Sequence, residues 1–183
     1  MIQDHDRTGY IGASDTKYVM GKWNTKTFKG WWDIKTGLEE NTVDNIYTRA
    51  GNAYEGRILD YLGIEERDRQ IIIGRLRINL DGETASHVVE IKTYKYSKGW
   101  KMPKYYWQQV QVEMFAKDCQ FGVLYAYGLL DEEYEEYGEI DPNRLTAEII
   151  FREDEFIEKY LTRALYLCSC LEKGEEPDES KVS

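Results

Sequence analysis

Between Ile71 and Thr93 the spacing of the apolar residues drops to two, and that change restricts the chain to few folds. Leu76, Ile78 and Leu80 alternate with Arg77, Asn79 and Asp81, the pattern of a strand with one face on a core. Asp81-Gly82 then reads as a turn and His87–Thr93 as the returning strand. Ile71–Ile73 reads as a first strand, or as the first half of a longer one bent at Gly74. On both sides of this cluster the spacing is helical. Val43, Ile46, Tyr47, Ala50, Tyr54, Ile58 and Leu62 recur at threes and fours, predicting a helix from Asn41 or Thr42 to Leu62, ended by Gly63. Ser14 suits the N-cap of a short helix to about Gly21, and Thr25–Thr36 reads as a second, stopped by Gly37. Pro103 opens a helix to about Lys117, Phe121–Tyr127 and Thr146–Phe151 read as strands, and Glu153–Leu171 as a closing helix. The order predicts a single α/β domain over residues 1–175, a mixed central β-sheet flanked by helices, followed by a charged tail at 176–183.

Charge bears on partners through its distribution. The chain carries −10 overall, yet residues 91–107 hold five lysines (Lys92, Lys95, Lys98, Lys101, Lys104) and no acid. Acidic side chains can also serve as metal ligands, so an acidic total does not exclude a nucleic-acid partner. Apolar runs such as Ile71-Ile72-Ile73 are too short to cross a bilayer, and the first residues lack the apolar stretch of a secretory leader. Three cysteines make no disulfide framework and suit a reducing cytoplasm. They also fall short of the four thiolates of an iron–sulfur cluster, and no phosphate-binding Walker loop is present.

The chemistry concentrates in Asp81-Gly82, seven residues, then Glu90-Ile91-Lys92. Residues two apart in a strand share a face, so Glu90 and Lys92 point one way while Val89 and Ile91 point into the core. Asp81, at the end of the neighbouring strand, is brought beside Glu90 by a hairpin. Two carboxylates roughly 5 Å apart repel by about 3 kcal/mol at an effective dielectric near 20. Such a pair favours a divalent cation, and hard oxygen ligands select Mg²⁺ or Mn²⁺. Lys92 can orient a water and lower its pKa as an adjacent cation. Alone, this pattern occurs in many proteins as a solvated strand face with an ion pair. The flanking segments alter that reading.

Glu55 sits at the border of the apolar face of its helix, one turn after Gly51, and suits a further metal ligand. Gln109, on the helix after Lys92, can hydrogen-bond the lysine, a water or a phosphate. Arg7 and Ser14 flank a glycine-containing turn before a helix, where free N–H groups and a guanidinium bind phosphate. Lys95, Lys98 and Lys101 recur every three residues among aromatics, a spacing suited to following a DNA strand. The acidic run from Asp131 to Asp141 reads as a solvated loop rather than a DNA-mimicking segment.

In combination these segments resemble the lambda exonuclease family, the YqaJ-like viral recombinases of the PD-(D/E)xK nuclease superfamily. Arg7-x-Gly9-x-x-Gly12-Ala13-Ser14 resembles its phosphate-binding element, and Gly51-x-x-Tyr54-Glu55 its helix-borne glutamate motif. Asp81-Gly82 with Glu90-Ile91-Lys92 resembles the metal site proper, and Tyr106-x-x-Gln109-Val110-Gln111 the glutamine motif. Phe156-Ile157-Glu158-Lys159 resembles the start of its last helix. Asn79 stands where the family usually has serine, and Thr93-Tyr94 where Cys-Pro is frequent. The resemblance implies a restriction-endonuclease-like fold and a metal set of Glu55, Asp81, Glu90 and Ile91. The catalytic set it implies is Asp81, Glu90, Lys92 and Gln109. It implies 5′→3′ digestion of one strand from double-stranded DNA ends, by a ring-shaped trimer working with a single-strand annealing protein. Two other readings stay open: a structure-specific or restriction-type endonuclease on the same core, and an inactive DNA-end-binding module.

Overall fold

A computed structural model describes residues 8–40 and 44–182. Arg7 and Asn41–Val43 lie outside them. Helix α1 is Thr16–Val19, α2 Lys26–Thr36, α3 Ile46–Leu62, α4 Lys104–Lys117 and α5 Asp154–Lys173. The strands are β1 Glu66–Ile73, β2 Leu76–Glu83, β3 Val88–Lys95, β4 Phe121–Leu129 and β5 Leu145–Phe151. They form one sheet in sequential order, antiparallel except for β3 and β4, which run parallel with α4 as the crossover.

Most predicted elements recur within a few residues, and the exceptions have local causes. Ser14 does not cap a helix. It sits exposed in a 3₁₀ turn, Ala13–Asp15, where the Asp15 Oδ2 accepts from the Gly12 N–H at 2.8 Å. Asp15 is itself buried, holding the Trp31 indole N–H at 2.9 Å and the Lys35 ammonium at 2.7 Å. Helix α3 begins at Ile46 because the Asn45 side chain accepts from the Thr48 N–H at 3.0 Å. Ile71–Ile73 ends a longer strand, and the chain reverses at Gly74-Arg75 into β2 rather than bending. Asp81-Gly82 is no turn: both residues lie in β2, and the reversal comes at Thr84–His87, closed by Thr84 N–H to His87 carbonyl at 2.9 Å.

The sheet separates two apolar clusters. Leu76, Ile78, Leu80, Val88, Leu124 and Ile150 pack with residues of α1, α2, α4 and α5, among them Trp31, Trp32, Val110, Met114 and Leu167. Val89, Ile91, Tyr127 and Leu129 pack with Ala50, Tyr54, Ile58 and Leu59 of α3. Strand β3 therefore alternates between the clusters, as the period of two requires. Two glycines set how closely the layers approach. A Cβ on Gly122 would lie 2.6 Å from Val110 of α4, and one on Gly82 2.8 Å from Leu59 of α3. At Gly51 a Cβ would meet Thr93 at an ordinary 3.6 Å.

The acidic run is structured in part. Glu133 is buried against Arg144, which also donates to the Gly128 carbonyl at 2.9 Å. The segment set apart as a tail contains a 3₁₀ turn, Glu179–Val182, whose Glu179 accepts from the Trp23 N–H at 2.9 Å and from Arg163 at 3.0 Å. Among the described residues no helix is long and apolar enough to cross a membrane.

Candidate active site

Strands β2 and β3 pair through only Gly82 with Val89 and Glu83 with Val88, and then part. One register step beyond, Asp81 and Glu90 come opposite each other. The N–H of Ile91, left without a strand partner on that side, donates instead to Asp81 Oδ2 at 2.9 Å. The carboxylate thus takes over a ladder hydrogen bond and is fixed where the strands separate. Ile91 itself has its side chain in the α3 cluster.

Glu90 is almost wholly buried, 1% exposed. Its Oε1 is in contact with the Lys92 ammonium and accepts from Gln109 Nε2 at 2.6 Å. Its Oε2 is buried without a hydrogen-bond partner. Gln109 Nε2 also donates, at 2.8 Å, to Glu113 Oε1 one turn along α4. Glu113 is completely buried, and its Oε2 likewise has no partner. Lys92 lies 5.1 Å from the centre of the Tyr106 ring, so its ammonium has an anion on one side and a π-face on another.

The electrostatics show these groups sensing one another. Burial, then Glu90 and Glu55, hold the Asp81 carboxyl well above the usual carboxylate range, against Lys92 and the Ile91 N–H. Burial, then Glu90 and Asp81, do the same to Glu113. Glu55, on α3, is raised by burial first and then by Glu90 and Asp68. Burial works against the Lys92 ammonium, but Glu90 and Asp81 outweigh it and hold Lys92 above its ordinary value. Four carboxyls therefore surround one ammonium.

Lys92 and Gln109 contact Glu90, Asp81 is fixed on the Ile91 N–H beside it, and Glu55 is near enough to raise the Asp81 carboxyl. Among the described residues no three acids, histidines or cysteines form a finished cage for a metal ion. The donor set nonetheless fits a hard divalent cation: oxygen ligands only, mutually repelling carboxyls, and buried Glu90 and Glu113 oxygens with no hydrogen-bond donor.

Other expected residues sit outside this group. Lys95 pairs with Asp131 at 2.6 Å, and Lys98 and Lys101 are exposed on the segment between β3 and α4. Of the aromatics beside them, Trp100 packs near Tyr94 and stacks on Tyr106 with ring centres 6.4 Å apart. Gln111, in the same motif as Gln109, is a structural clamp. It donates to the Phe151 carbonyl and accepts from the Glu153 N–H, both at 2.8 Å, tying α4 to the β5–α5 junction. Glu113 was not anticipated. Its signal is the run Gln108–Met114, seven residues all buried in a helix packed on both sides, with Glu113 on the face of Gln109 at i+4.

No family model matches the sequence, and no curated protein matches it. Among solved structures the fold is similar to that of an alkaline exonuclease from Laribacter hongkongensis, at 19% identity and a TM-score of 0.69, over 92% of this chain and 90% of that one. The same enzyme in complex with dAMP gives 18% identity and a TM-score of 0.68 over the same shares. A phage-related exonuclease from Haemophilus somnus 129PT is 15% identical, with a TM-score of 0.66 over 95% of this chain and 96% of that one. The single α/β domain with its mixed five-stranded sheet and flanking helices is thus the fold of these exonucleases.

Proposed function

We propose that this chain, sharing the fold of those exonucleases, is a divalent-metal-dependent deoxyribonuclease that digests double-stranded DNA from its ends in the 5′→3′ direction. One observation carries the reading: Asp81, Glu90, Lys92 and Gln109 converge where β2 and β3 part, with Glu90 Oε2 buried and without a donor. The dAMP bound to the Laribacter enzyme supports a nucleotide substrate. Phage-type recombination, a trimeric ring and a single-strand annealing partner follow from the family resemblance and belong to the same proposal.

Glu55, Asp81 and Glu90, with Ile91, would hold Mg²⁺ or Mn²⁺, Glu90 through Oε2. Such a cation supplies neutralisation of charge on the scissile phosphate and acidification of the attacking water. Lys92, kept protonated by Glu90 and Asp81, serves as a cation that orients this water and stabilises the charge that develops; it is not a general base. Gln109 keeps the Glu90 carboxylate in place through Oε1. Ser14, Lys98 and Lys101 are exposed and available to phosphates on this reading, with Arg7 beside Ser14 in the sequence, while Lys95 would exchange Asp131 for a phosphate.

The test is digestion of a linear duplex labelled at the 5′ or the 3′ end, beside a closed circular duplex, with Mg²⁺ and with EDTA. Release of the 5′ label as mononucleotide, with the circle intact and EDTA silencing the reaction, is expected. Nicking of the circle establishes the endonuclease reading instead, and binding without cleavage establishes the inactive module.

A further inference from the structure

Gln109 has two amide hydrogens, and both are used inside the protein, one on Glu90 Oε1 at 2.6 Å and one on Glu113 Oε1 at 2.8 Å. Glu113 is fully buried. A buried acceptor left unmatched, as its Oε2 is, is costly, and methionine would fill the same space without that penalty. This side chain accepts from Gln109, and its carboxyl also lies within hydrogen-bonding reach of the Glu90 carboxyl, which raises it. Without Glu113 as acceptor, the amide of Gln109 can turn over and bring its own oxygen against Glu90 Oε1. Two oxygens facing each other would displace the Glu90 carboxylate.

We propose that Glu113 is a positioning residue, which holds the Gln109 amide in the orientation that donates to Glu90 Oε1 and so leaves Glu90 Oε2 directed at the cation. This rests on the metal-site reading given above. Residues that orient metal ligands typically change metal affinity 10–100-fold when removed, a range of about one to two decades.

The experiment is calorimetric titration of Mn²⁺ into the metal-free protein, without DNA, for the wild type, Glu113→Met, Glu113→Gln, Gln109→Ala and Glu113→Met/Gln109→Ala. Methionine preserves volume and removes the acceptor; glutamine preserves an acceptor oxygen, and thermal melts confirm that each variant folds. Glu113→Met is expected to weaken Mn²⁺ binding by about tenfold or more, and Glu113→Gln to return it to within about threefold of wild type. The double variant should bind no more weakly than Gln109→Ala. Wild-type affinity in Glu113→Met overturns the inference. Equal losses in the methionine and glutamine variants do so as well, because the carboxylate itself would then meet the cation, and so does a further loss in the double variant. A wild-type protein that takes up no Mn²⁺ overturns the metal-site reading itself, a result distinguishable from all of these.

Discussion

Lys92 shows how a single side chain is defined by its surroundings. Its ammonium lies against Glu90 Oε1 and over the Tyr106 ring, and Glu90 and Asp81 keep it charged in spite of burial. Loss of that charge leaves Glu90 and Asp81 facing each other uncompensated, and loss of Asp81 frees the Ile91 N–H and, on the proposed reading, removes a metal ligand. Lys92→Ala and Asp81→Ala are each expected to lower single-turnover cleavage by about a thousandfold or more while circular dichroism stays native. Near-full activity in either variant removes the site. Glu90 and Lys92 were legible because a period of two fixes their common face from the sequence alone. Glu113 was not, because an acid in a helix reads as solvated until both faces of α4 are seen to be covered. Arg7 lies outside the described residues, and Ser14 turned out to sit within the 3₁₀ turn that Asp15 caps.

At the level of elements, the parting of β2 from β3 makes the site. Periodicity located both strands but misplaced their reversal, because Asp81-Gly82 carries a turn signature for an unrelated reason. Gly82 lies in a strand where Leu59 and Ile64 leave no room for a Cβ, at 2.8 and 3.0 Å. The same closeness brings α3, and Glu55 with it, up to the gap. Ahead of α4, the exposed Lys98 and Lys101 stand on the segment that leaves Lys92. On the proposed reading they meet DNA phosphates, and each phosphate contact contributes a slope of about 0.9 in log affinity against log salt. Neutralising both is expected to flatten that slope by about 2 in fluorescence anisotropy with a duplex end and Ca²⁺ in place of Mg²⁺. An unchanged slope means that DNA takes another path.

Across the whole molecule the site is a source of instability that a cation should relieve. Asp81, Glu113 and Glu55 all have raised carboxyl values in the fold, so they bind protons more tightly folded than unfolded. The stability they contribute is complete below the ordinary carboxylate range, near 4, and is lost as pH climbs through their raised values. Lys92, raised above the ordinary lysine range, has its contribution intact throughout this interval. Melting temperatures in EDTA are therefore expected to fall as pH rises above the ordinary carboxylate range, and the rise produced by Mg²⁺ to grow over the same interval. A magnesium effect independent of pH contradicts this.

Asp81, Glu90, Lys92, Gln109 and Glu113 all come from one uninterrupted stretch of chain running through β2, β3 and α4, and Glu55 precedes them on α3, one strand earlier. Groups close along a chain are brought together by closing short loops, which is the fast part of folding. Glu55 stands as near to Asp81 along the chain as Glu113 does, so every group of the candidate site comes from one contiguous third of the chain and can gather locally. A stopped-flow refolding trace would then show cation uptake returning together with native-like ellipticity.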